Sequence, residues 1–290
     1  MQVVVVAVLP VLLMALLGFV LARFGRPVQG DTLRFLVAHV GSPALIFTAM
    51  LKNDLAGRAL LGYAGAALAA LAVTGVVAWA ILRLRSYSVR AFLPAMMFGN
   101  TGNLGLPLAL YACGPAGLGY AAILHTVIAV TNFTLGQSIA IGRTDWKGFV
   151  SSPTLIAAIL GTLVSTLHIT LPTWLRNTLE LPSSFTIPLM LLMLGTSLAT
   201  IRVTSLGRTV GLSALRLALG MAVGFGVSAL LGMSGVPRTV FVLQFATPVA
   251  VYNYLFALVA RTDPEGVASV VVVSTLMSII TIPVLLLLLV

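Results

Sequence analysis

The sequence predicts an all-α membrane protein with ten transmembrane helices, arranged as two inverted five-helix repeats whose fourth and ninth helices are broken. Three observations predict it: the composition, the placement of Lys and Arg, and the recurrence of prolines and glycines along the chain. Of 290 residues, 60% are hydrophobic and 8% are charged, and the mean hydropathy is +1.14. Soluble domains carry about 25% charged residues, so this chain belongs in a lipid bilayer.

Each helix is placed on an apolar run of roughly 20 residues, the length that crosses a bilayer. The first run has no positive charge before it, and Arg23 and Arg26 follow it, so we expect a retained first span rather than a signal peptide. No connection is long enough for a soluble domain. The ten predicted spans cover 2–22, 31–51, 59–82, 89–112, 116–140, 153–171, 183–200, 209–232, 237–260 and 266–289.

The basic residues predict the topology. Of the 16 Lys and Arg, 12 belong to connections one, three, five, seven and nine, which makes these connections cytoplasmic by the positive-inside rule. Both termini are therefore expected on the side opposite the cytoplasm. Arg216 is expected to snorkel from span eight toward the cytoplasmic interface. The 12 residues are Arg23, Arg26, Arg34, Arg83, Arg85, Arg90, Arg143, Lys147, Arg202, Arg208, Arg216 and Arg261.

Prolines and glycines recur in the second half at offsets of 141 to 145 residues, which indicates a duplicated unit. Five spans are an odd number, so the second copy must be inverted in the membrane. We predict a first repeat over 1–142, a short cytoplasmic linker over 143–152 and a second repeat over 153–290. The matched pairs are Pro10 with Pro153, Gly18 with Gly161, Pro27 with Pro172, Pro43 with Pro188, and Pro107 with Pro248.

Two stretches, 98–107 and 244–249, place amides, hydroxyls, glycines and a proline in the middle of spans four and nine. Proline cannot donate a backbone hydrogen bond, and irregular backbone at membrane depth must be enclosed by protein or line a wet cavity. Broken helices in matching positions of two halves indicate a transporter's binding site. We predict that Pro107 and Pro248 lie near the first turns of two half-helices, whose N-termini would bind a carboxylate.

The candidate binding side chains are uncharged, because all six acidic residues fall in or beside loops. Polar side chains inside spans tend to mark substrate paths, although they also hold helices together. The second reading is favoured for Thr131, Thr134 and Gln137. The predicted substrate-binding residues are Asn100, Thr101, Asn103, Pro107, Asn132, Thr247, Pro248, Tyr252 and Asn253.

Neither a metal nor a cofactor is expected. Cys113 is the single cysteine, and the three histidines, His39, His125 and His168, lack metal-binding spacing. His125 is the candidate for proton coupling, with packing as its alternative role. The net charge of +10 is spread singly between apolar runs, so no nucleic-acid partner is expected. Glycines on spans three and eight predict close helix contacts: Gly62, Gly65, Gly75, Gly220, Gly224 and Gly226.

Residues 99–108, residues 41–45, and residues 247–250 with Asn253 resemble the bacterial auxin efflux carrier family. That family includes malate and malonate permease-like proteins and is related to the plant PIN carriers. The resemblance implies the fold of sodium-dependent bile acid transporters, in which helices four and nine cross. Spans 1, 2, 6 and 7 would form a scaffold that is often a dimer contact, and spans 3–5 and 8–10 a transport domain. Organic acid anions would bind at the crossing, and the protein would lie in a bacterial cytoplasmic (inner) membrane.

Several mechanisms remain open. The linker is too short for the phosphorylated loop of the plant carriers, and without membrane carboxylates the sodium sites of the bile acid relatives are doubtful. The membrane potential or protons through His125 would then drive a carrier. The alternatives are a sodium- or proton-coupled symporter of the bile acid type, an anion channel, an anion sensor, and an intramembrane serine hydrolase using Ser234 in Gly232-Met233-Ser234-Gly235. No enzyme activity is expected.

Overall fold

The computed structural model describes residues 2–25, 30–51, 58–143, 150–200 and 204–289. Within these residues the chain is helical apart from short turns, and the one β contact is an isolated bridge. The all-α class is therefore confirmed. Pro27 and residues 144–149 of the predicted linker lie outside the described residues.

Within the described residues, three π-helical turns interrupt the α-helices. They lie at Val37–Gly41 between α2 and α3, at Thr101–Gly105 before α6, and at Asn132–Gly136 between α6 and α7. The α-helices are α1 Gln2–Phe24, α2 Gly30–Leu36, α3 Ser42–Leu51, α4 Arg58–Leu84, α5 Val89–Met97, α6 Leu106–Thr131, α7 Gln137–Ile141, α8 Pro153–Thr166, α9 Thr173–Thr200, α10 Leu206–Leu230, α11 Gly235–Phe245, α12 Val251–Ala260 and α13 Pro264–Leu289.

Seven helical segments of the described chain are long and apolar enough to cross a membrane. One of them, Thr101–Ile141, has 41 residues, about twice the length that a bilayer needs. Gly114 divides it with non-helical backbone angles, φ 67° and ψ −162°, at the predicted fourth connection. The predicted start of span seven at 183 is wrong, because α9 already begins at Thr173 and continues through Pro182 and Pro188. The count of ten stays a prediction.

Side-chain contacts join the predicted cytoplasmic connections to one another. The Arg208 guanidinium lies 2.9 Å from the Asp263 carboxylate and 5.3 Å from the centre of the Phe92 ring. Arg90 donates a hydrogen bond to the Ala140 carbonyl at 3.2 Å. These residues flank connections seven, nine, three and five, which therefore lie at one end of the helices.

The even-numbered connections meet in the same way. Tyr63, near the start of α4, donates a hydrogen bond to the Pro237 carbonyl at the start of α11. Its ring also packs edge-on against Tyr120, with ring centres 5.2 Å apart. Connections two, four and eight thus lie together, as the predicted alternation of spans requires.

Two glycines mark a reciprocal pair of helix contacts. Gly18 of α1 lies directly against the backbone of Leu192 in α9, and Gly161 of α8 lies directly against Phe47 in α3. The two contacts correspond to each other under the repeat. Gly161 is 143 positions after Gly18, and Leu192 is 145 positions after Phe47, so each partner in one contact has its repeat counterpart in the other. Reciprocal contacts of this kind arise when two similar units pack around a two-fold axis.

The glycines of spans three and eight divide into two groups. Gly75, Gly220 and Gly224 leave no free room for a side chain, since a Cβ would touch Met97, Phe245 and Val242 respectively. A second group has open space where a Cβ would lie, so the expected close helix contact is wrong at these positions: Gly62, Gly65 and Gly226.

Candidate functional site

Two broken helices cross in the middle of the molecule. Helix α5 ends at Met97 and α11 ends at Phe245, and beyond each the chain leaves the helix. Gly99 and Val249 then form an antiparallel β-bridge. Asn100 N–H donates to the Pro248 carbonyl at 2.7 Å, and Ala250 N–H donates to the Phe98 carbonyl at 3.2 Å. The two breaks therefore satisfy each other's backbone groups, as a polar backbone at membrane depth must.

Glycine is required at the point of crossing. A Cβ on Gly99 would collide with the Thr247 hydroxyl and the Arg216 guanidinium. Thr247 is fully buried and donates from Oγ1 to the Gln244 carbonyl at 2.7 Å. Ser274 of α13 accepts a hydrogen bond from Val249 N–H at 3.1 Å, so neighbouring helices complete the backbone pairing.

The first half-helix begins earlier than its proline. Asn100 caps it, because the side-chain Oδ1 of Asn100 accepts from Asn103 N–H at 3.2 Å, and Gly105 N–H bonds the Asn100 carbonyl at 3.0 Å. The helical backbone starts at Thr101 with a π turn, which makes Pro107 part of its second turn. Pro107 is also the second residue of α6, so its predicted place near the first turn of a helix is confirmed, although the half-helix itself begins at Thr101.

Pro248 does not occupy an equivalent place. It lies in the non-helical crossing segment, before the first residue of α12, Val251, and its carbonyl is an acceptor of the β-bridge. In the β-bridge, Val249 lies opposite Gly99, and Pro248 lies opposite Asn100. Pro107 and Pro248, which the sequence offset matches, therefore lie at different places relative to the crossing.

A cavity of about 400 Å³ lies beside the crossing. One part of its wall comes from the half-helix that begins at Thr101, from α6 and the π turn Asn132–Gly136 that follows it, and from α7 and α12. The other part comes from α2 and the π turn that follows it, α3, the start of α8, and α9. No Asp or Glu of the described residues lines it. The polar and charged lining residues are Arg34, His39, Ser42, Asn100, Thr101, Asn103, His125, Thr126, Asn132, Gln137, Ser152, Thr154, Ser197 and Tyr252.

The predicted binding residues divide into two sets. One set lines the cavity: Asn100, Thr101, Asn103, Asn132, Tyr252 and the proton-coupling candidate His125. The other set is buried in the crossing and lies outside the cavity lining: Pro107, Thr247, Pro248 and Asn253. Asn253 donates from Nδ2 to the Phe98 carbonyl at 3.1 Å, so its observed contact holds the crossing together.

Two amides of the cavity wall keep a polar atom without a hydrogen-bond partner. Asn100 uses Oδ1 to cap its half-helix, whereas its Nδ2 is buried and unpartnered. Asn132 is also buried, and its Oδ1 has no partner. Buried polar atoms in native proteins are nearly always hydrogen-bonded. A donor and an acceptor that stay unpaired in a cavity wall are therefore suited to a polar ligand.

His125 supports the first half-helix. Its Nδ1 is 2.9 Å from the hydroxyl of Thr101, and Gly102 leaves the room that the ring occupies, since a Cβ there would approach the ring carbon Cε1 to 2.9 Å. The imidazole thus contacts the turn that carries the cavity's amides. A change in the protonation of His125 would change its hydrogen bond with Thr101 in that turn.

The predicted site did not include several polar residues of the cavity wall, among them Arg34 and Gln137. Arg34 was assigned to the first connection as a topology charge, but it lies in α2 and lines the cavity. Its position within predicted span 31–51 is the signal that pointed to a functional role. Gln137 was interpreted as a packing residue, and it also lines the cavity.

Arg216 does not snorkel to the interface. It lies in α10 with 1% of its surface exposed, and it donates to the Met96 carbonyl at 3.1 Å and the Phe245 carbonyl at 3.2 Å. These carbonyls belong to the ends of α5 and α11. The predicted interfacial place of Arg216 is therefore wrong, and the crossing holds a buried cation.

The known family described as "Membrane transport protein" matches this sequence twice, over residues 3–145 and 137–286. The chain belongs to this family. The resemblance to the auxin efflux carriers is thereby confirmed. The two matches follow one another along the chain, and each covers about one predicted repeat.

Curated relatives of this membrane transport protein come from archaea. An "uncharacterized transporter" of Methanothermobacter thermautotrophicus is 29% identical over 290 residues, and one of Methanocaldococcus jannaschii is 25% identical over 294 residues. Each alignment covers 95% of both chains. Family and relatives alike assign transport to proteins of this length and sequence, and the substrate must be argued from the site.

Proposed function

We propose that this chain is a secondary transporter that moves organic acid anions by alternating access through the cavity beside the crossing. The chemistry of that cavity carries the proposal. Arg34 contributes a cation to the lining, Asn100 Nδ2 is an unpartnered buried donor, and the described lining contains no Asp or Glu. The helix N-terminus at Thr101 adds a partial positive charge. Such a combination favours an anion.

The apolar part of the cavity favours an acid with an apolar or aromatic body. Phe133 packs edge-on against Tyr252 and Phe256, with ring centres 4.9 and 5.7 Å apart, and all three rings line the cavity. A volume of about 400 Å³ lies in the range of small-molecule sites. One arginine in the described lining suits a monocarboxylate better than a dicarboxylate.

The cavity separates two proposed rigid units. The scaffold consists of spans 1, 2, 6 and 7, which are α1, α2 with α3, α8 and α9, and the transport domain consists of spans 3–5 and 8–10. The reciprocal contacts of Gly18 and Gly161 support two inverted repeats over 1–142 and 153–290, because both contacts lie within the scaffold. A homodimer through the scaffold belongs to the same proposal.

The proposed location is the cytoplasmic membrane, with both termini outside. Two cavity residues, Arg34 and Ser152, lie beside connections one and five, which are cytoplasmic in the predicted topology. The cavity is then open toward the cytoplasm, and the structure corresponds to the inward-facing state. Transport requires a second state in which the same site faces outward.

Two driving forces are compatible with this site. The membrane potential acts on any anion with about 2.3 kcal/mol per charge per 100 mV, and His125 offers a route for proton coupling. The hydrolase alternative has no support in the contacts. Ser234 precedes α11 as its N-cap, and no hydrogen bond joins it to a histidine within the described residues.

Uptake of labelled acids into proteoliposomes tests the proposal. The panel contains aromatic monocarboxylates and small dicarboxylates, with an imposed membrane potential or pH gradient. Asn100→Asp keeps the oxygen that caps the half-helix and replaces the free donor with a negative charge. We expect saturable wild-type uptake of a monocarboxylate and a loss of at least roughly tenfold in kcat/KM for Asn100→Asp, about 1.4 kcal/mol.

Asn177→Asp is the matched control, because it makes the same chemical change on an exposed residue of α9. It should transport as the wild type does. Folded wild-type protein that moves no acid of the panel would contradict the proposed substrate class. Unitary currents without saturation would indicate the channel instead.

A further inference from the structure

Arg216 lies beside the crossing, at the C-terminal ends of the two helices that precede the breaks, α5 and α11. Its two hydrogen bonds go to Met96 O in the last turn of α5 and to Phe245 O at the last residue of α11. The last carbonyls of a helix have no partner within the helix, and each helix C-terminus carries about half a negative charge. Together the two ends offer about one negative charge, which matches one guanidinium.

The crossing itself leaves these carbonyls to Arg216. In a continuous helix, Met96 O would accept from the N–H of residue 100 and Phe245 O from that of residue 249. Here Asn100 N–H donates to Pro248 O, and Val249 N–H donates to Ser274 Oγ. The break thus creates two free acceptors, and the guanidinium takes both.

The room for the guanidinium is provided by two glycines. A Cβ on Gly99 would collide with Arg216 Nη2. A Cβ on Gly220 would collide with the Phe245 carbonyl that Arg216 binds, and would lie 3.4 Å from Nη1. Arg216 is the largest side chain that is less than 2% exposed in the described structure. The site is therefore filled by this one cation.

Carbonyls at half-helix C-terminal ends and in unwound backbone are the ligands that hold Na⁺ in transporters with broken helices. We propose that Arg216 is a tethered substitute for such a coupling cation, so that this carrier assembles its crossing without Na⁺ or another free cation. This inference rests on the proposed transport function and specifies its coupling. A cation that is covalently attached cannot be exchanged across the membrane, so a cation gradient cannot drive the cycle through this site.

The substitution also affects substrate binding. The α5 and α11 C-termini point at Arg216, while the N-terminus at Thr101 borders the cavity. Arg216 neutralises the partial negative charge of the two helix C-termini permanently. The partial positive charge of the helix N-terminus beside the cavity is then available to the anion at any salt composition of the medium. We therefore expect anion affinity to be independent of the choice of monovalent cation.

The test removes the tethered cation and offers a free one. Thermal unfolding of purified protein is followed in choline, Na⁺, Li⁺ or low guanidinium chloride for wild type, Arg216→Ala and Arg216→Lys. Leaving buried carbonyls unpaired should lower the Tm of Arg216→Ala by roughly 10 °C. Guanidinium or Na⁺ should restore at least about half of that loss, whereas wild type and Arg216→Lys should not respond to the cation.

Arg90→Ala is the matched control, because Arg90 also donates to a backbone carbonyl but is exposed. It should show no rescue by any cation. A rise of the wild-type Tm in Na⁺ over choline would overturn the proposal, and so would an Arg216→Ala variant that keeps its Tm in choline. If Arg216→Ala does not fold, a Na⁺-dependent Tm of Arg216→Lys overturns it and a Na⁺-independent one supports it. None of these measurements requires transport. The uptake experiment can therefore contradict the proposed transport function without deciding the role of Arg216.

Discussion

Arg34 is the residue that we expect to attract the anion into the cavity. Its guanidinium belongs to α2, in the proposed scaffold, while the amides of the first half-helix belong to the proposed transport domain. Arg34→Gln keeps a long polar side chain and removes the charge. We expect KM for the transported acid to rise by about 5- to 50-fold, or 1–2 kcal/mol, with a smaller change in kcat. Initial uptake rates over a range of acid concentrations measure both.

Arg85→Gln is the control for this charge removal. Arg85 is exposed at the same predicted cytoplasmic end and does not line the cavity. An unchanged KM in Arg85→Gln shows that a rise in Arg34→Gln is local. Equal KM values for Arg34→Gln and wild type would remove Arg34 from the site.

At the residue level, the sequence correctly located the amides of the two breaks, because a polar residue within a long apolar run is easy to recognise. It could not separate Asn100 from Asn253, since both lie on a break, and only the fold turns one toward the cavity and the other toward the Phe98 carbonyl. It misjudged Arg34 and Arg216 for a related reason. Hydropathy shows that a charge is near a span end, but not whether other helices cover it.

The stability effect of a glycine-to-alanine substitution should depend on how closely another helix packs against the glycine. A Cβ on Gly161 would approach the Met50 Cβ to 2.9 Å and the Phe47 carbonyl to 3.0 Å. Gly161→Ala must therefore push α8 away from α3, which we expect to destabilise the protein by about 1–3 kcal/mol. Thermal unfolding in detergent should show a lowered Tm.

Gly62→Ala is the matched helix substitution, because beyond the adjacent residues and nearby backbone of its own helix no atom lies within 4 Å of the added methyl group. Replacing glycine by alanine in an open helix position should be neutral or stabilise by up to about 1 kcal/mol. A Tm loss of the same size in both variants would show that the reciprocal α1–α9 and α3–α8 contacts do not limit stability.

Single helices were predicted with uneven success, for physical reasons. Long apolar runs such as α1 and α4 are recognisable because a bilayer sets their length. The start of α9 at Thr173 was missed because its first turns carry Arg176 and Glu180, which hydropathy assigns to a loop. The crossing register was also missed, because a matching proline marks similar sequence but does not fix where the chain leaves the helix.

For the molecule as a whole, the contacts between connections support the alternation of spans better than hydropathy does. The Arg208–Asp263 pair and the Arg90–Ala140 bond join odd-numbered connections, and the Tyr63–Pro237 bond joins even-numbered ones. Contacts of this kind fix which connections share a side. They do not fix which side is the cytoplasm, which depends on the distribution of Lys and Arg.

The orientation can be tested with the single cysteine removed. In a Cys113→Ala background, Arg85→Cys places a thiol at connection three and Ser234→Cys places one at connection eight, both on exposed residues. A membrane-impermeant thiol reagent should label Ser234→Cys in intact cells and Arg85→Cys in inside-out vesicles. The reverse pattern would invert the proposed topology and make the cavity outward-facing. Labelling of both from one side would break the alternation itself, and with it the inverted repeat from which alternating access was inferred.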